Sequence, residues 1–223
     1  MCGRFSQLRA WSELVRLYRV TASQTPLKLP PRYNIAPTQD VPVVRRTREG
    51  DERELVTMRW GLVPFWARDL KGGAKMINAR AETIAERPAF RDAFQRRRCL
   101  VAADGFYEWE KTQAGKQPCR ITVADCRPFA FAGLWERWRS SEGEAIESFT
   151  IIVTAANEQV RPLHDRMPMM LDVGQFGPWL DGGSGIKQLH ALLRPYAGEL
   201  TIRAVSTRVN SVANDDPGCI EPI

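Results

Sequence analysis

Residues 99–110 read CLVAADGFYEWE, an apolar run leading into alternating aromatic and acidic positions, the pattern of a strand with one buried face. The stretches after it repeat the theme: CRITVAD (119–125), PFAFAGLWERW (128–138), ESFTIIVTAA (147–156) and RMPMMLD (166–172) are short, rich in β-branched and aromatic residues, and separated by turn signals. Such a series predicts strands of a curved antiparallel sheet or barrel. Upstream, VPVVRR (41–46) and ELVTMRWGLVP (54–64) read as a hairpin around the polar TREGDER (47–53). The Pro-rich TPLKLPPRYNIAPTQDVP (25–42) reads as an extended, rigid loop, because each Pro fixes φ and biases its predecessor away from helix.

Helical spacing is confined to the flanks. Leu8, Trp11, Leu14, Val15 and Tyr18 mark a first helix with Ser6 as its cap, and RPAFRDAFQRRR (87–98) a second ending near Cys99. VGQFGPWL (173–180) and GIKQLHALLRPY (185–196) precede a last strand, LTIRAVST (200–207), and an extended tail, RVNSVANDDPGCIEPI (208–223). No repeat, low-complexity segment or linker interrupts the chain. The expectation is α+β and mostly β: one domain over 1–223, with a β-barrel-like antiparallel core flanked by helices.

Composition narrows the chemistry. No apolar run approaches the roughly 20 residues needed to span a bilayer, and no signal-peptide pattern is present, which predicts a cytoplasmic protein with no membrane partner. Five cysteines without a C-x-x-C pair, and two histidines, support neither a disulfide framework nor a metal site, so Cys99, Cys119, Cys126 and Cys219 read as reduced, packed thiols and no cofactor is expected. The net charge of +6 is uneven: residues 1–100 carry a balance of +10 and residues 101–223 one of −4. A polyanion, most simply nucleic acid, is drawn to the basic half.

That half begins MCGRF, with a thiol at the second residue. Removal of Met1 gives Cys2 a free α-amine beside its thiol, a pair with chemistry neither group has alone. Glu108, between Tyr107 and Trp109, sits in an aromatic setting that raises a carboxyl pKa if the side chain is buried and leaves it ordinary if it faces water. His164, in RPLHDRMP, lies just before an apolar strand, whereas His190 among leucines reads as structural. In WGLVPFWARD (60–69), Trp60 reads as core, and Phe65 and Trp66 next to Arg68 as a stacking surface for unpaired bases. Asn34 and Asn78 are turn-compatible polar residues beside apolar ones, and Arg4, Arg80 and Arg166 are candidate phosphate contacts. No phosphate-binding glycine loop, G-x-S-x-G or H-E-x-x-H occurs.

In chain order, MCGRF, RYNIAP, WGLVPFWA, INARAET, CLVAADGFYEW, FAGLWE, VTAAN and HDRMP resemble the SOS response-associated peptidase family of abasic-site-processing proteins. The resemblance runs from residue 2 to the NDDP at 214–217 and departs at Ala103, where Pro is expected. It implies the family's compact α+β fold and DNA-damage role: an N-terminal Cys2 that bonds covalently to the ring-opened sugar of an abasic site in single-stranded DNA, forming a thiazolidine. By the same resemblance, Asn34, Glu108 and His164 line the catalytic site, and Arg4, Pro37, Trp66, Asn78, Arg80, Thr154 and Arg166 line the DNA groove. The expected state is a monomer, nucleoid-associated when bound to damaged DNA. An accompanying lyase activity, a cysteine peptidase trimming residues ahead of Cys2, and a plain single-strand binder are the other readings, separable by turnover and by dependence on Cys2.

Overall fold

The computed structural model describes residues 2–47, 50, 52–113, 115–125 and 129–223. Cys126 and the middle of the 47–53 turn lie outside them. In chain order the elements are β1 (Phe5–Gln7), α1 (Trp11–Tyr18), β2 (Arg32–Ile35), β3 (Asp40–Arg46), β4 (Arg53–Trp60), β5 (Asn78–Arg80), α2 (Arg91–Arg96), β6 (Arg98–Ala103), β7 (Gly105–Thr112), β8 (Gly115–Val123), β9 (Phe129–Arg139), β10 (Ala145–Ala155), β11 (Arg166–Pro168), β12 (Met170–Leu171), α3 (Val173–Leu180), α4 (Ile186–Leu192) and β13 (Leu200–Ala204). The fold class is α+β, as expected from the alternating segments. No helix among the described residues is long and apolar enough to cross a membrane.

Five strands close on themselves. β4, β3, β6, β9 and β10 pair in that order, and β10 returns to β4 through a parallel ladder at Ser148–Arg59 and Phe149–Trp60. Closure removes the open edges that invite aggregation. A second sheet, ordered β13-β8-β7-β1-β2, flanks this barrel. Between them lies an aromatic core: Trp60 meets Phe5 edge-on at 5.1 Å and stacks on Phe149 at 6.4 Å, and Phe131 meets Phe5 and Phe106 edge-on. These rings prefer such offset and edge geometries because their faces are negative and their rims positive. The helices cover the barrel's outside, where Phe94 packs against Trp179 and edge-on against the exposed His190.

Two local readings are corrected. Ser6 caps no helix: it lies fully buried in β1, opposite Gly105. The helix begins at Trp11, where the Glu13 carboxylate accepts the Ala10 N–H at 3.0 Å and so supplies the cap. The Pro-rich loop also contains β2, paired to β1 at Phe5–Ile35. The segment 99–110 bends at Asp104, whose carboxylate holds Leu8 N–H at 2.5 Å and Arg9 at 3.0 Å, and passes from barrel (β6) to flanking sheet (β7).

The tail is strapped to the second sheet. Asp215 accepts the N–H groups of Tyr33 and Asn34 at 2.5 and 2.9 Å and pairs with Arg32, while the buried Asn34 amide donates to the carbonyls of Val209, Ser211 and Asn214. Backbone carbonyls in a turn-rich tail need such donors once covered.

Candidate active site

Strand β10 assembles the site. Its second half is flanked on one side by β5, with Ile151 opposite Asn78 and Val153 opposite Arg80, and on the other by β11, with Ala155 opposite Arg166. His164 stands two residues before that last contact. The N-terminal segment enters beside β7, where Phe5 opposes Phe106, two residues before Glu108.

Cys2 is fully buried among core residues. Its carbonyl accepts from Asn78 Nδ2 at 2.9 Å, and its thiol lies 3.9 Å from the Arg4 carbonyl. Burial, reinforced by the Glu108 carboxylate, pushes the Cys2 thiol above its ordinary range, so it is held as S–H. Met1 lies outside the described residues.

A cleft of about 870 Å³ is lined by Glu108, His164, Asp165, Arg161, Trp109 and Asn210, among others. Glu108 is only 4% exposed, which selects the buried alternative for this strand position. Burial raises its carboxyl above the usual range, with the His164 charge opposing. His164 Nδ1 accepts the Arg166 N–H at 2.9 Å and also lies 2.8 Å from the exposed Asp165 carboxylate. The two contacts use Nδ1 in opposite senses: without a hydrogen it accepts from Arg166, and with one it donates to Asp165. The cleft wall is tied to the tail by the Trp109 indole N–H, which donates to Asn210 Oδ1 at 2.7 Å.

A second hollow, a groove of about 390 Å³, contains Trp66, Lys75, Asn78, Arg80, Arg87 and Phe90 and has no acidic side chain in its lining. Trp66 and Phe65 are 55% and 59% exposed. Their loop is firmly seated: Val63 N–H donates to Ser148 Oγ at 2.8 Å, and Trp138 Nε1 donates to the Ala67 carbonyl at 2.7 Å. At its base the backbones of Gly61, whose φ is +122°, and Gly73 meet so closely that a Cβ on Gly61 would stand 2.6 Å from the Gly73 oxygen. Lys75 and Arg87 join the groove without having been singled out in the sequence. Lys75, three residues before Asn78 in the basic GGAKMINAR, carried the available signal.

The remaining site residues separate. Arg80 is exposed and makes no ion pair with a described residue. Arg166 pairs with Glu82. Arg4 is turned inward, donating to Asn34 Oδ1 and the Val209 carbonyl, both at 2.7 Å, with its guanidinium 6.0 Å from the Trp109 ring. Asn34 thus ties Arg4 and the tail together instead of facing an open hollow. Pro37 is half-buried in the turn between β2 and β3. Thr154 is buried, its hydroxyl on the Ala155 carbonyl at 3.0 Å.

A family model described as SOS response associated peptidase (SRAP) matches residues 1–212. The chain is 39% identical over 224 residues to the abasic site processing protein YoqW of Bacillus subtilis, covering 99% of both. It is 34% identical to the abasic site processing protein HMCES of Gallus gallus, with 86% of this chain and 66% of that protein aligned. A crystal structure of a protein from Bacteroides thetaiotaomicron superposes over all of both chains, with a TM-score of 0.87 at 27% identity. The chain belongs to the SRAP family.

Proposed function

We propose that this protein processes abasic sites by trapping them in single-stranded DNA, through a thiazolidine formed by Cys2 once Met1 is removed. The observation that carries this reading is the position of Cys2. Asn78 joins its carbonyl to a cationic, aromatic groove, and Glu108, from a cleft of acids and bases, acts on its thiol.

The chemistry follows from the parts. An α-amine with a pKa near 7.7–8.0 is partly neutral at pH 7 and attacks the C1′ aldehyde of the open sugar. The carbinolamine loses water to give an imine. The Cys2 sulfur then adds to the imine carbon while its proton passes to nitrogen, closing a five-membered ring with loss of one water overall. Ring closure is intramolecular and gains the rate advantage of a held nucleophile. Because the thiol is neutral, it needs a base. In this reading Glu108 gives a proton to the departing water, takes one back from nitrogen as the imine forms, and then relays the thiol proton to that nitrogen, and His164 shares the cleft as a second acid or base. Asn78 and Asn34 act as positioning residues, the first on Cys2 and the second through Arg4 and the tail. Trp66 stacks a base, and Lys75, Arg80 and Arg87 meet phosphates.

Intact-mass analysis after mixing the protein with abasic single-stranded DNA is the test. The expected product is the mass sum less one water, formed only by chains lacking Met1. Full adduct on a chain proven to retain Met1 overturns the mechanism.

A further inference from the structure

On the outer face of the flanking sheet, away from the cleft and the groove, β8 and β13 set two arginines side by side. Arg120 and Arg203 are direct cross-strand partners. Thr122 and Thr201, the next pair on that face, are partners too. Ile121, Val123, Leu200 and Ile202 point the other way, into the core. Like charges directly opposed destabilise an antiparallel pair, so the arrangement has a cost that the sheet does not need.

The neighbouring carboxylates do not relieve it. Asp104 is occupied by Arg9 and the Leu8 N–H, and Glu13 by Arg9 and the Ala10 N–H. Neither Arg120 nor Arg203 forms an ion pair with a described residue. Arg120 donates from Nη2 to Ser6 Oγ at 3.2 Å and its guanidinium also interacts with the Tyr107 hydroxyl across the strand, while its Nε is buried with no hydrogen-bond partner at normal geometry among the described residues. Gly105 makes room for it: a Cβ there would meet Arg120 Nε at 3.1 Å. The arginines and threonines border a hollow of about 460 Å³ that Arg9 and its two carboxylate partners, Asp104 and Glu13, also line. That volume lies in the range of small-ligand sites.

We propose that this hollow is an anion site for a phosphate group, held by Arg120 and Arg203 with the Thr122 and Thr201 hydroxyls beside them. Guanidinium forks suit phosphate oxygens, and the anion removes the repulsion between the arginines. The phosphate belongs either to a nucleic-acid strand running over the sheet or to a free phosphate or mononucleotide. The site is independent of the Cys2 chemistry.

Inorganic phosphate titrated at constant ionic strength should shift the backbone amide resonances of Thr122, Thr201 and Arg203, and Arg203→Gln should weaken that binding by about tenfold or more. Arg203→Glu, which sets a carboxylate against Arg120, should raise Tm without phosphate and abolish the stabilisation that phosphate gives. Oligothymidylates separate the sources. If Arg203→Gln lowers the salt slope for long but not short strands by about 0.7, the phosphate is a strand's; if phosphate binds and no slope changes, it is a free anion's. Absent phosphate shifts, shifts that persist in Arg203→Gln, or a lower Tm for Arg203→Glu overturns the proposal.

Discussion

The two hollows linked to Cys2 differ in the kind of charge they hold. The cleft mixes Glu108, Glu110 and Asp165 with Lys111, Lys116, Arg161 and His164, and its key carboxylate is buried. The groove has three cations, an exposed indole and no acid in its lining. A mixed, partly desolvated site suits proton transfer, whereas an all-cationic aromatic surface suits a phosphate backbone and unpaired bases. Rate and affinity should therefore be separable by mutation.

The largest effect belongs to Cys2, which is linked to the groove through Asn78 and to the cleft through the charge of Glu108. Cys2→Ala, with Met1 still removed, should lose the heat-stable adduct completely yet cleave some abasic strand and yield a borohydride-trappable complex, because an imine left unconsumed favours β-elimination. Heat-stable adduct from that variant without reductant would mean that another side chain makes the bond. Next, Glu108→Gln should slow single-turnover adduct formation by about 10²- to 10⁴-fold with near-normal DNA binding, and His164→Ala should slow it less. Equal losses in rate and affinity would erase the division between cleft and groove.

On the groove side the effects are smaller and fall on affinity. Trp66→Ala should weaken binding to undamaged single strands by about 1–3 kcal/mol with little change in salt slope, since stacking releases no counterion. Arg80→Ala should flatten the slope by about 0.7, one phosphate contact. An unchanged slope and affinity for Arg80→Ala would move the strand to another surface.

The smallest effect is on stability. Burial raises the Glu108 carboxyl in the folded state, so the folded protein binds this proton more tightly than the unfolded chain. The wild type therefore loses stability relative to Glu108→Gln as pH rises above the ordinary Glu pKa of about 4.3. Denaturation of both proteins from acid to neutral pH should show the gap widening upward; a constant gap would mean that the carboxyl is not desolvated.

Much of this was legible in the sequence because one chemical pattern repeats. The β-rich runs of 99–155 expose three barrel strands, β6, β9 and β10, together with β7 and β8 of the flanking sheet, and Trp60, read as core, is fully buried. The misses have local causes. Ser6 carries a cap residue's side chain, but Phe5 and its partners in β2 and β7 outweigh it, a tertiary contact that spacing cannot register. β2 is hidden because Pro30, Pro31 and Pro37 speak for a loop, although Arg32–Ile35 between them is free to pair. Within the site, the aromatic setting marked Glu108, whereas the inward turn of Arg4 and the full occupation of the Asn34 amide depend on residues 209–214, too distant for any local pattern.

The strap made by those distant partners also sets a clock. Arg4 meets a carbonyl 205 residues further along the chain, so the N-terminal segment cannot reach its final seat until the chain has been synthesised through Val209. At about 5–20 residues per second, the start of the chain stays outside its folded position for roughly 10–40 s. An aminopeptidase acting on Met1 works in that interval on a loose end. Once the strap closes, the Cys2 side chain is packed among core residues.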